Sequence, residues 1–176
     1  MVAIRYRRTW RSNTEEKRWW YEDFPEGSVR EFGGITLTRE EILAFARQYD
    51  PQPFHVDEEA ARRSTFGGLV ASGWQTCALV TKMACDAFLL DTATAGSPGI
   101  EEVRWLKPVR PGDTLRVRMR SLQARPMRSR PQLGIVLIRY EMLNQRDETV
   151  LTLDGNTMMF RRSTVGAEDR RPTGTR

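Results

Sequence analysis

The 176-residue sequence is poor in several residue types, with one histidine, His55, and two cysteines, Cys77 and Cys85. Two cysteines are too few for a disulfide framework, so we expect free thiols and a cytoplasmic protein. No run of residues approaches the roughly 20 apolar residues of a membrane-spanning helix, which argues against a membrane protein. The first stretch, MVAIRYRRTWRSN, holds no apolar segment of signal-peptide length, so nothing in it predicts export.

The length and composition of the sequence predict one folded domain. Hydrophobic residues make up 39% of the chain, with five tryptophans and seven phenylalanines, which is enough for a sizeable core. The net charge of +5 comes from the two ends, since residues 1–22 and 161–176 each carry +3 and residues 23–160 carry −1. We therefore predict a basic, tryptophan-containing N-terminal extension over 1–22, a single domain over 23–162, and a flexible basic C-terminal tail over 163–176.

The basic ends have two interpretations. Solvated tails commonly carry such charge, and Trp10, Trp19 and Trp20 suit an extension that packs on the domain or on a neighbouring molecule. The alternative is a stacking platform for nucleic acid. Because the charge is confined to the ends, we favour the first interpretation and expect no nucleic-acid partner.

Helices are predicted in the first half of the chain. Thr38 and Glu41 form a capping box, and the apolar stripe that follows predicts a helix that ends by Asp50, before Pro51. The stripe consists of Ile42, Phe45, Ala46 and Tyr49. Asp57 is the expected N-cap of a short helix, and Ser72 that of a long, almost wholly apolar helix over 73–90. Such a helix is normally surrounded by other structure.

Strands are predicted in the second half. Leu115, Val117 and Met119 alternate with arginines, which indicates a strand with one buried face, and residues 110–113 form a turn. Segments 100–107, 133–143 and 150–160 read as further strands. Helices followed by successive strands favour an α+β fold with an antiparallel sheet.

Asp50 and His55 are the first candidates for chemistry. Pro51 and Pro53 stiffen the segment between them, so both side chains can be presented toward one point. A carboxylate beside an imidazole makes an acid–base pair, because imidazole exchanges protons near neutral pH. The alternative is a half-buried histidine near a helix-capping aspartate, and this spacing alone does not decide between the two.

A glycine-rich stretch, Gly67-Gly68-Leu69-Val70-Ala71-Ser72-Gly73, leads into the apolar helix. Free amides at a helix N-terminus favour a negatively charged oxygen, such as the enolate oxygen of a thioester. The alternative treats the glycines as loop residues and Ser72 as a simple cap.

Together these motifs resemble the MaoC-like dehydratases, the hotdog-fold family that includes the (R)-specific enoyl-CoA hydratases. The D-x-N-P-x-H motif of the family corresponds to residues 50–55 here, and residues 55–61, the glycine-rich stretch and residues 103–113 also match. The similarity runs in the same order from about Thr38 to Phe160. It implies a hotdog fold, in which a curved antiparallel sheet wraps a long central apolar helix.

The resemblance also implies an activity in fatty acid metabolism. This activity is the hydration of a 2-enoyl-CoA thioester to the (R)-3-hydroxyacyl thioester, or the reverse dehydration. Asp50 and His55 would activate the water and move a proton to the α-carbon, and the Gly73 amide would bind the thioester oxygen. No metal or redox cofactor is implied, since coenzyme A enters as the carrier of the substrate. A homodimer or larger homo-oligomer is expected.

Two positions depart from the family motif, because Gln52 replaces an asparagine and Ser72 replaces a histidine that often precedes the helix. We place both beside the site with Gly73, as residues for oxyanion or substrate binding. The departures keep two alternatives open: a thioesterase of the same fold, or a non-catalytic acyl-binding or assembly subunit.

The arginines between Arg110 and Arg130 suit either the phosphates of coenzyme A or a solvated strand face. Cys77 and Cys85 are expected to be inert buried thiols.

Overall fold

Five antiparallel strands and four α-helices make up the computed structural model, which describes residues 17–162. The helices are α1 (Arg39–Tyr49), α2 (Pro53–Val56), α3 (Glu58–Arg63) and α4 (Gly73–Ala87), and the strands are β1 (Val29–Thr36), β2 (Thr94–Trp105), β3 (Thr114–Pro126), β4 (Leu133–Leu143) and β5 (Thr149–Phe160). Short 3₁₀ helices cover Tyr21–Asp23 and Leu89–Asp91. Within 17–162, no helix is both long and apolar enough to cross a membrane.

The predicted helix starts are confirmed. The Thr38 hydroxyl accepts from the Glu41 amide, and the Glu41 carboxylate accepts from the Thr38 amide, so α1 begins with the expected capping box. Asp57 accepts from the amides of Glu59 and Ala60 at the start of α3. The stripe of α1 is corrected at one end, because Tyr49 is 65% exposed. Leu43, on the same side as Ile42, is buried instead.

The sheet has the order β1-β3-β4-β5-β2, with every neighbouring pair antiparallel. The predicted alternation in β3 is confirmed, since Leu115, Val117 and Met119 are fully buried. Strand β1 is an element that the sequence pattern did not reveal. Its alternation is interrupted at Gly33 and Gly34, where the pairing with β3 shifts register and both glycines adopt a positive φ.

Helix α4 lies against the inner face of the sheet, and the strands of the sheet wrap around this helix. Val80, Met83 and Ala84 are buried there with the inward residues of β3, β4 and β5. The backbone of β1 approaches this helix so closely that a Cβ at Gly33 would collide with the sulfur of Met83. The opposite face of α4 is open in a single chain, with Trp74 60% exposed. The helix is also shorter than predicted, because a 3₁₀ turn follows Phe88.

Residues 17–24 pack on this body, while most of the predicted extension and the predicted tail over 163–176 lie outside the described residues. Trp20 and Phe24 are buried, and the amides of Arg18 and Trp19 donate to the Asp91 carbonyl. The guanidinium of Arg30 lies 4.1 Å from the Trp19 ring centroid, a cation–π contact. Trp19 and Trp20 therefore take part in packing on the body of the protein.

Phe88 links this N-terminal segment to β1 and α4. Its ring lies 5.6 Å from that of Phe24 and 5.5 Å from that of Phe32, and it is 3% exposed. We expect Phe88→Ala to lower the free energy of unfolding by about 3–5 kcal/mol, because it leaves a cavity between these rings. Urea denaturation measures the loss. The matched control is Leu90→Ala, since Leu90 is 37% exposed, and similar losses in both variants would contradict this packing.

Candidate active site

A cavity of about 460 Å³ opens where the chain between α1 and α2, the start of α4 and the end of β2 come together. Asp50, His55, Gly73, Trp74 and Trp105 are among the residues that line it. Four of the five predicted site residues, including Gln52, therefore line the cavity, and the fifth, Ser72, is completely buried beside it.

The two prolines bring Asp50 and His55 together. Asp50 is the C-cap of α1, which Pro51 prevents from continuing, and Gln52 is the N-cap of α2, whose first residue is Pro53. His55 follows within this single turn. The short connection between the two helices places His55 Nε2 3.5 Å from Asp50 Oδ2.

The orientation of the His55 ring is fixed by the backbone. Nδ1 lies 2.8 Å from the Val70 carbonyl oxygen. A carbonyl only accepts hydrogen bonds, so Nδ1 carries the proton of this bond and the neutral ring has its lone pair on Nε2. The ring is 6% exposed and packs edge-on against Phe54. Nε2 is therefore the nitrogen available for proton exchange on the side of Asp50.

Asp50 is held as a carboxylate by donors to both of its oxygens. Oδ1 accepts from Gln52 Nε2 at 2.8 Å, and Oδ2 accepts from Ser72 Oγ at 2.6 Å. Burial raises the pKa of Asp50, but these two hydrogen bonds and the neighbouring His55 outweigh it and bring the pKa below its usual value. Asp50 is consequently charged at neutral pH, with 16% of its side chain exposed.

Ser72 connects this carboxylate to the start of α4. While its hydroxyl donates to Asp50, the same oxygen accepts from the Trp74 amide at 3.2 Å as the N-cap of the helix. Both roles of the hydroxyl are satisfied inside the protein, and Ser72 is 0% exposed. Its contact with the pocket is therefore made through Asp50.

Gly73, the first residue of α4, has an amide without an acceptor among the described residues. Its carbonyl oxygen has two side-chain donors, Thr76 Oγ1 at 2.6 Å and Trp105 Nε1 at 3.0 Å. The Trp105 ring lies so close that a Cβ at Gly73 would stand 2.6 Å from it. A glycine is thus required here by the tryptophan beside it, whatever the amide binds.

Trp105 and the Val70 carbonyl are parts of the site that reasoning from the sequence missed. Trp105 stands within the matched segment 103–113, but its nearness to Gly73 depends on β2 running past the start of α4. Trp74 packs edge-on against it, with ring centroids 5.6 Å apart. The signal in the sequence was only that Trp105 stands in one matched segment and that Trp74 directly follows another.

The arginine run divides between two places. Arg116 and Arg118 lie on the outer face of β3 and pair with Glu31 of β1, so they form the solvated strand face. Arg110 donates to the backbone carbonyl of Phe66, and Phe66 lines the pocket.

Cys77 and Cys85 are free, and burial raises the pKa of both thiols. Among residues 17–162, no group of three or more His, Cys, Asp or Glu side chains is arranged to hold a metal ion.

Comparison with known sequences places this arrangement in a family. Residues 23–140 match the MaoC-like domain. The chain is 33% identical over 130 residues to the uncharacterized protein YdeM of Bacillus subtilis, covering 73% of this chain and 90% of that protein.

Solved structures agree with the sequence match. The MaoC-like dehydratase from Rhodospirillum rubrum is 40% identical, with a TM-score of 0.74 over 81% of this chain and 97% of that one. The HadBC (3R)-hydroxyacyl-ACP dehydratase complex of Mycobacterium tuberculosis is 25% identical, with a TM-score of 0.61 over 76% of this chain and 96% of that one. These likenesses confirm the predicted hotdog fold, and the chain belongs to the MaoC-like domain family.

Proposed function

We propose that the protein adds water across the double bond of a 2-enoyl-CoA thioester, giving a (R)-3-hydroxyacyl thioester, or catalyses the reverse dehydration. The observation that carries this proposal is the charged Asp50 beside the Nε2 of a buried His55, in a pocket that also contains the start of α4. Membership of the family supports it, as do two of the similar structures, a MaoC-like dehydratase and a (3R)-hydroxyacyl-ACP dehydratase. Coenzyme A enters as the carrier of the acyl group, and the proposal needs no other cofactor.

In the hydration direction, a water bound between the two side chains loses a proton to His55 Nε2 as its oxygen bonds to the β-carbon. The electron pair of the double bond moves toward the thioester, and the protonated Nε2 then returns the proton to the α-carbon. Asp50 accepts a hydrogen bond from the water and stabilises the imidazolium. The lowered pKa of Asp50 makes it a weak base, which is why we assign the proton transfer to His55.

Gly73 supplies the charge stabilisation in this scheme. Negative charge develops on the thioester oxygen as the water adds, and the free amide of Gly73 at the positive end of α4 is a suitable donor. The residues that hold Gly73 in place are on α4 and β2, so the donor is rigid. A rigid donor needs no reorganisation when the charge appears.

The first prediction from this proposal concerns the acid–base pair. On mixing with crotonyl-CoA, the protein should remove the absorbance of the conjugated thioester without releasing free thiol. Asp50→Asn and His55→Asn should each lower the rate by about 10²–10⁴-fold, the usual contribution of general acid–base catalysis. Asp86→Asn is the matched control, because Asp86 pairs with Lys82 on the exposed side of α4.

The outcomes of this assay separate the alternatives. Thiol release with the same sensitivity to Asp50→Asn would identify a thioesterase. No reaction with short or long enoyl-CoA thioesters would contradict catalysis and favour an acyl-binding or assembly subunit.

The second prediction concerns the charge of Asp50. Ser72→Ala removes a donor to the carboxylate, so the pKa of Asp50 should rise toward its usual value. Carboxyl ¹³C NMR measures this pKa directly, and the acidic limb of the pH–rate profile should move to higher pH with it. Ser121→Ala is the control, since Ser121 is equally buried but its hydroxyl bonds to Ser28. An unchanged pKa in Ser72→Ala would contradict the role of Ser72.

We also infer that the protein is a homo-oligomer, at least a dimer, joined along β2. This strand is an edge of the sheet, and Ile100, Trp105 and the adjacent Leu106 are each about half exposed, at 54%, 48% and 53%. Exposed apolar residues along the unpaired edge of a strand favour association.

The third prediction tests this inference by light scattering after size exclusion. The protein should have at least twice the mass of one chain, and Ile100→Lys should reduce that mass. Val29→Lys should leave it unchanged, since Val29 is 45% exposed on the opposite edge strand, β1. A monomer, or equal effects of the two variants, would contradict association through β2.

A further inference from the structure

We propose that Trp105 limits the size of the acyl group and makes the protein selective for short, unbranched acyl thioesters. This inference rests on the proposed function, because it takes Gly73 as the group that binds the thioester oxygen. It goes beyond it by naming the residue that selects the substrate and the class of acyl chain that is accepted.

The Trp105 ring is a fixed wall of the pocket. Although the side chain is 48% exposed, its indole nitrogen donates to the Gly73 carbonyl at 3.0 Å. The ring of Trp74 packs against it at an interplanar angle of 78°. An exposed ring without these contacts would be free to turn away from an entering ligand, whereas turning this ring costs a hydrogen bond and an aromatic contact.

The position of this wall determines what it contacts. An oxygen that accepts from the Gly73 amide lies about 3 Å from that nitrogen. The Trp105 ring stands against the Cα of the same residue, within 2.6–3.1 Å of where a Cβ would be. Gly73 and Trp105 both line the pocket and the ring stands beside Gly73, so an acyl group whose thioester oxygen binds this amide has the indole as one wall, and a long or branched chain would meet the ring.

The chemistry and size of the pocket favour a short hydrocarbon chain. Val70, Val109 and Val150 line it together with the two tryptophans, so its walls are mainly apolar. Its volume of about 460 Å³ has to accommodate the acyl group and part of the pantetheine arm. Ligand pockets range over about 300–1,000 Å³, so this pocket lies in the lower part of that range.

The test measures binding of saturated thioesters, which cannot be hydrated. By isothermal titration calorimetry, the wild-type protein should bind butyryl-CoA about ten-fold or more tighter than octanoyl-CoA. Trp105→Ala should reduce this ratio by about ten-fold or more, in the range that apolar pockets achieve when they discriminate by size. Trp105→Phe keeps an aromatic ring in place and should retain the preference to within about two-fold. Each ratio compares two ligands on the same protein, so partial unfolding of a variant does not change it.

The outcomes distinguish this inference from the proposed function. Equal affinity for the two thioesters in the wild type, or an unchanged ratio in Trp105→Ala, overturns the size limit even if crotonyl-CoA is hydrated. A ratio that shifts as expected, with no hydration of any enoyl-CoA, supports Trp105 as the selecting residue and overturns the reaction. If Trp105→Phe behaves like Trp105→Ala, the selectivity depends on the indole hydrogen bond and the steric argument fails.

Discussion

The half-buried carboxylate of Asp50 is the constraint around which this site is organised. A charge removed from water is tolerated only when hydrogen-bond donors replace the lost solvation. Here the donors come from two directions: Gln52 from the chain that follows and Ser72 from the start of α4. The end of α1 and the beginning of α4 are thereby tied together across 22 residues of sequence. Satisfying one charge positions the helix that carries the expected oxyanion donor.

The same linkage extends from the carboxylate to the aromatic wall. Ser72 binds Asp50 on one side and caps α4 on the other, and Gly73 follows it directly. The Gly73 carbonyl in turn receives the Trp105 indole from β2. Four residues on three elements are therefore linked, by two hydrogen bonds and by the peptide bond between Ser72 and Gly73. This continuity explains how a site assembled from a loop, a helix start and an edge strand can be rigid enough for the proposed acid–base chemistry.

The sequence predicts the local features of this molecule better than the distant contacts. The capping box at Thr38, the prolines around Gln52 and the alternation in β3 depend on residues close in sequence, and each is confirmed. Strand β1 was missed because Gly33 and Gly34 interrupt its alternation, and Gly33 is required by the close approach of α4. The role of Trp105 was missed for the same physical reason. It follows from the packing of β2 beside a helix more than thirty residues earlier, which no local pattern encodes.

The two departures from the family motif can now be understood in terms of what each side chain donates. Gln52 is longer than the asparagine of the motif, yet its amide reaches Asp50 Oδ1 at 2.8 Å. Ser72 lacks the ring of a histidine, but its hydroxyl reaches Oδ2 at 2.6 Å and also caps the helix. What the carboxylate requires is a donor to each oxygen, and different side chains can meet this requirement. Neither substitution adds a second imidazole, so His55 is left as the one imidazole at the pocket, with Nδ1 bound to Val70 and Nε2 directed toward Asp50.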